Sequence, residues 1–107
     1  MGEKVLFKLE PAPTFWAPVQ IPLPGGETGE IRVKFRYRNR DAFVELLKEA
    51  GTLDDVDMLL RVIDDWDGPD AAFSPETLGR LLGNYQQASR ALFRAYRDNL
   101  LGAAEKN

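Results

Sequence analysis

The chain has 107 residues, 44% hydrophobic and 29% charged, with a formal net charge of −3, a composition that fits an ordinary globular domain and excludes a disordered or membrane-embedded class. Cysteine and histidine are both absent, which removes disulfides, thiol nucleophiles, zinc sites with nitrogen or sulfur ligands and the commonest neutral-pH proton shuttle. No apolar run approaches the roughly 20 residues that span a bilayer, and Glu3 and Lys4 stand where a secretory signal would begin, so no membrane association and a cytoplasmic location are expected.

From the N-terminus, Val5, Phe7 and Leu9 alternate with Lys4, Lys8 and Glu10, predicting a half-buried strand that Pro11 and Pro13 end. The next apolar set, Phe15, Ala17, Val19 and Ile21, repeats at period two. Pro18 and Pro22 between them lack the N–H of a central strand, which predicts an edge strand over 14–22. Gly25 and Gly26 permit the positive φ of a reversal, and Ile31, Val33, Phe35 and Tyr37 resume the alternation with Arg32, Lys34, Arg36 and Arg38 on the opposite face. A three-stranded antiparallel meander over residues 1–38 follows.

Beyond it the periodicity becomes helical. A first helix opening near Asn39 or Arg40 places Phe43, Leu46, Leu47 and Ala50 on one stripe and stops at Gly51. Thr52 is the expected cap of a second helix, with Asp54 and Asp55 in its first turn and a stripe of Leu53, Val56, Leu60, Ile63 and Trp66. Asp67-Gly68-Pro69-Asp70 reads as a turn, and Ser74-Pro75-Glu76 starts a short third helix carrying Leu78, Leu81 and Leu82. Gly83-Asn84 marks a break, with Asn84 capping a last helix from about Tyr85 to Leu101 whose stripe is Tyr85, Ala88, Leu92, Ala95 and Tyr96, with Phe93, Leu100 and Leu101 beside it. The expected architecture is therefore α+β, one domain over 1–107, with a meander over 1–38, about four helices over 39–101 and a frayed tail over 102–107.

Chemistry is sparse. The acids Asp64, Asp65, Asp67 and Asp70 around Gly68 suggest a calcium loop, but with Gly68 as the sixth loop position the first and twelfth fall on Ile63 and Ser74, so two strong ligand positions are missing. The basic run Arg32, Lys34, Arg36, Arg38 and Arg40 invites a nucleic-acid reading, yet in a strand Phe35 and Tyr37 point away from the arginines. Asp54 and Asp57 read as surface charge. No Ser-His, Cys-His or phosphate-cradling pattern occurs, so no catalytic residue, metal ligand or cofactor is expected. Residues 1–50 hold 8 basic against 7 acidic side chains and residues 51–107 hold 6 against 10, which makes the helical half acidic.

Several segments together resemble the phage tail assembly chaperone family of long-tailed phages and prophages. They are Pro11-Ala12-Pro13-Thr14-Phe15, Val19 to Gly26, Phe35-Arg36-Tyr37-Arg38 with Arg40, Asp57-Met58-Leu59-Leu60, Trp66-Asp67, Phe73 to Leu78, Leu81 to Tyr85, Tyr96 and Ala104 to Asn107. The likeness runs nearly end to end and rests on the order of these pieces. Gln86-Gln87 departs from the proline or glycine expected after Tyr85.

The resemblance implies a non-enzymatic chaperone that binds the helical tape-measure protein, assists assembly of the tail tube around it and leaves before the virion is complete. It also implies a longer, frameshifted form whose extension engages the tail-tube protein. An acidic amphipathic domain suits this role, since it covers apolar helices while its charge keeps the complex in solution. Two other classes remain open: a structural tail component or connector, and a small nucleic-acid-binding regulator. Tyr85, Leu92, Phe93, Tyr96 and Leu100 of the last helix are the candidate partner-binding or self-association residues, because they do not all face one core. The alternative is that the preceding helices cover them.

Overall fold

The computed structural model describes residues 6–102. In chain order it contains β1 (Thr14–Pro22), β2 (Thr28–Arg36), α1 (Arg40–Glu49), a 3-10 turn (Ala50–Thr52), α2 (Asp55–Leu60), β3 (Ile63–Asp67), α3 (Pro75–Asn84) and α4 (Ala88–Leu100). The class is α+β, with a three-stranded antiparallel sheet in the order β1-β2-β3 and four α-helices.

The hairpin forms as its residues dictate. Gly25 and Gly26 take φ of 97° and 99°, and Leu23 N–H donates to the Glu27 carbonyl at 2.7 Å to close the turn. Pairing runs from Thr14↔Arg36 to Pro22↔Thr28. The Tyr37 N–H donates to Pro13 O at 2.8 Å, so the odd-numbered residues of β1 exchange bonds with β2 and the even-numbered ones do not. Pro18 and Pro22 fall on the even set. Their missing N–H groups lie on the free edge, and no ladder bond is lost.

The third strand is not the one that the N-terminal alternation suggests. Val5 lies outside the described residues, and Leu6 to Glu10 form no strand, with Phe7 and Leu9 exposed. The sheet is completed by Ile63–Asp67, which pairs antiparallel with β2 and lies inside the stretch expected to be helical. The second helix accordingly ends at Leu60, and Asp54 rather than Thr52 caps it, accepting from Asp57 N–H at 2.8 Å. Val62 and Ile63 are β-branched and Asp64 and Asp65 are poor helix formers. The Val62 carbonyl accepts from Arg36 N–H at 2.8 Å, which continues β2–β3 pairing beyond the bulge.

A register shift between Lys34 and Phe35 leaves Asp64 as the extra residue of a β-bulge. The bulge turns both Ile63 and Trp66 inward. In a regular strand, residues three apart would lie on opposite faces.

The remaining caps follow the sequence closely. Asn39 accepts from Ala42 N–H at 2.9 Å at the start of α1. Ser74 and Thr77 form a reciprocal capping box with Pro75 at the first helical position of α3. The break at Gly83-Asn84 does not occur: α3 runs through Asn84, and Tyr85 and its two successors form the connection to α4. Gln87 precedes α4 without a side-chain cap bond. Gly102 sits in a turn, and the rest of the expected tail lies outside the described residues.

One face of the sheet supplies Ala17, Val19, Ile21, Val33, Phe35, Ile63 and Trp66 to the core. Against it pack Leu46 of α1, Met58 and Leu59 of α2, Leu78 of α3, and Ala88, Leu92 and Tyr96 of α4. Each large side chain buried in this way contributes about 1.5–3 kcal/mol. α4 lies across β1, and α2 touches α3, α4 and β3.

Candidate partner-binding surfaces

The last helix divides its apolar residues between core and surface. Leu92 and Tyr96 are both 0% exposed, which removes them from the candidate partner-binding set: they point straight at the sheet. Tyr96 stands amid Phe15, Phe35, Phe43 and Phe93, with ring centroids 5.4–6.3 Å away. Its hydroxyl donates to Arg36 O at 3.0 Å and accepts from Arg38 Nη1 at 3.2 Å. Burial raises the phenol pKa, while the Arg38 hydrogen bond and charge partly offset that rise. Tyr85, Phe93 and Leu100 are partly buried against the core.

Tyr85 and Phe93 line two different grooves, each with a volume of about 320 Å³. The first lies between the hairpin end and α3. Ile21, Leu23, Ile31, Trp66, Leu81 and Tyr85 make its apolar lining, with Asp70 and Arg80 as its charged residues. The second lies among α1, α2 and α4, with Leu47, Leu53, Met58 and Phe93 inside and Asp54, Asp55 and Arg90 around it. Leu100 lines neither.

The outer face of the sheet is polar and self-paired. Asp64 on the bulge meets Lys34 at 3.6 Å and Arg36 at 3.4 Å, and the Arg32 guanidinium lies 5.8 Å from the centre of the exposed Trp16 ring. Arg32 and Lys34 stand opposite Asp67 and Asp65 across the β2–β3 pair. The basic strand therefore faces its own acids. The expected helix end around Asp64 is a strand, and Asp65 Oδ1 accepts from the Trp66 N–H at 2.9 Å on the free side of β3. Among the described residues no group of acids gathers as a cation cage would require.

A sequence model described as phage tail assembly chaperone matches residues 2–107. The chain belongs to the phage tail assembly chaperone family. No curated protein and no solved structure matches it. Membership in this family implies partners among tail proteins, and the family is one of chaperones rather than a known enzyme class. Among the described residues no helix is long and apolar enough to cross a membrane.

For this chaperone family member, the sequence reading missed most of the groove-lining residues. Leu47 shows why. It shares a predicted stripe with Leu46, yet α1 turns only Leu46 fully inward: Leu46 is buried while Leu47 and Val44 are exposed. That the helix repeat carries both leucines past a single contact line was the available signal. Trp66 and Leu23 gave no such signal, because the bulge and the hairpin turn place them.

Proposed function

We propose that this family member is a transient assembly partner which binds an apolar helical segment of the tape-measure protein, assists tail-tube assembly in the host cytoplasm and is absent from the finished virion. The observation that carries the reading is the family match over residues 2–107. Two charge-rimmed apolar grooves support it, because a groove of this kind receives one face of an amphipathic helix while the rim keeps the complex hydrated. Tyr85, just after α3, and Phe93 of α4 are the groove-lining members of the candidate set, and Leu100 ends α4 beyond Phe93. A frameshifted longer form carries the contact to the tail-tube protein. No catalytic step or cofactor enters the scheme.

Co-expression with the tape-measure protein tests it. The expected result is more soluble tape-measure protein, co-purification of the two and no chaperone in purified particles. Unchanged solubility together with stable presence in virions would make the chain a structural tail component instead. Salt-sensitive binding to DNA or RNA would favour the nucleic-acid-binding regulator.

A further inference from the structure

Leu6, Phe7 and Leu9 are 82%, 90% and 92% exposed. Scattered surface leucines are ordinary, but three large apolar side chains within four residues form an unpartnered surface. Phe7 and Leu9 alternate with Lys8 and Glu10, so in extended form this arm has an apolar side and a charged side.

The arm's own sheet is poorly placed to cover it. Glu10 and Ala12 each precede a proline, which disfavours the helical region at both, and the chain bends at Leu9 and Glu10. Pro11 suits the start of a tight turn, but Ala12 cannot complete it, and among the described residues no non-glycine residue takes a positive φ. The sheet edges also resist strand addition: β1 lacks donors at Pro18 and Pro22, and Asp65 occupies the outward Trp66 N–H of β3.

The groove between the hairpin end and α3 has the complementary chemistry. Its apolar lining of Ile21, Leu23, Ile31, Leu81 and Tyr85 suits Phe7 and Leu9. Its rim offers Asp70 to Lys8 and Arg80 to Glu10, and Arg80 takes part in no ion pair among the described residues. Within one chain the two are not in contact: Leu6, Phe7 and Leu9 stay exposed while the groove is open.

We propose that the arm Leu6–Glu10 of one copy docks in the hairpin–α3 groove of a second copy, and that reciprocal exchange closes a two-fold dimer. The contact needs no tail protein, but it fills one of the two grooves offered above to a tape-measure helix, so in the dimer only the α1–α2–α4 groove stays open to that partner.

Sedimentation equilibrium of the full chain from micromolar to sub-millimolar concentration tests this, with circular dichroism confirming that each variant folds. Wild type should dimerise. Phe7→Ser/Leu9→Ser in the arm and Leu81→Glu in the groove should each weaken association by at least about tenfold, since a central apolar anchor carries that much. Leu47→Glu, in the other groove, should leave association unchanged. Mixing the arm variant with the groove variant should recover part of the association, between that of either variant alone and wild type, because the mixed dimer has one of its two arm–groove contacts intact. A wild type that stays monomeric, association that survives both variants, loss on Leu47→Glu, or no recovery on mixing would each overturn the proposal.

Discussion

The Tyr96 hydroxyl donates to the Arg36 carbonyl at 3.0 Å, so one phenol ties the middle of α4 to the end of β2. Around it the rings of Phe15, Phe35, Phe43 and Phe93 bring together β1, β2, α1 and α4. Tyr96→Phe keeps the packing and leaves the Arg36 carbonyl and Arg38 without this partner. The expected cost is about 1–2 kcal/mol in urea unfolding with an unchanged slope. Tyr96→Ala removes the ring as well and should cost about 3–5 kcal/mol. Equal stability of wild type and the phenylalanine variant would mean that the hydrogen bond contributes nothing.

The same phenol sets a pH dependence. Its pKa is raised above 10.0 in the folded chain, chiefly by burial, so between the unfolded and folded values the unfolded state binds fewer protons. Stability linked to Tyr96 is fully present below about pH 10 and falls as pH rises through the folded value. The difference in unfolding free energy between wild type and Tyr96→Phe should therefore shrink above about pH 10, while Tyr37, Tyr85 and the lysines cancel in the comparison. A difference that stays constant through this range would contradict the assignment.

Much of the fold was legible because local chemistry and tertiary demand agree. Asn39, Ser74-Pro75 and Gly25-Gly26 form the caps and turn that their side chains favour, and the prolines of β1 mark an edge. The misreadings arise where long-range pairing decides. Leu60, Ile63 and Trp66 keep a helical spacing, but β2 has unpaired bonding groups on that side and recruits 63–67 as a strand; the Asp64 bulge then reconciles a spacing of three with a single buried face. Val5, Phe7 and Leu9 alternate as a strand does, yet periodicity says nothing about whether an edge is available to pair with. In the last helix the spacing of Ala88, Leu92 and Tyr96 marks one inward stripe and all three are buried, so Leu92 and Tyr96 belong to the core and not to the candidate surface set.

Asp64 makes two ion pairs, but all three side chains are a third to a half exposed. Solvent screens such contacts, so Asp64→Asn, which retains the bulge, should cost less than about 1 kcal/mol. The loss should shrink further at high salt. A larger loss in thermal or urea unfolding would show that Asp64 holds the bulge itself.

Gly68 is the reverse case, a small residue with a large expected effect. Its φ of 122° is open only to glycine, and an added Cβ would lie 3.4 Å from Cα, Cβ and Cγ2 of Ile31. The turn after β3 is thus pressed against β2. Gly68→Ala should destabilise by about 1–3 kcal/mol, from strained backbone and a crowded neighbour together. Gly51→Ala provides the control, since a Cβ there meets nothing within 4 Å. Equal stability of the two variants would remove the strain argument.

The prolines of β1 bear on solubility rather than stability. Because Pro18 and Pro22 sit at non-bonded positions of the β1–β2 pair, replacing them with threonine adds no bond within the sheet. It does return two N–H donors to the free edge. Beside Trp16 and Gln20, the strand would then present a continuous row of donors and acceptors that another chain can extend. Pro18→Thr/Pro22→Thr should leave the unfolding free energy in urea within about 1 kcal/mol of wild type, since threonine favours strands but loses the rigidity of proline. Light scattering on gentle heating should show earlier and faster aggregation. If aggregation is unchanged while the fold is intact, the prolines do not protect that edge.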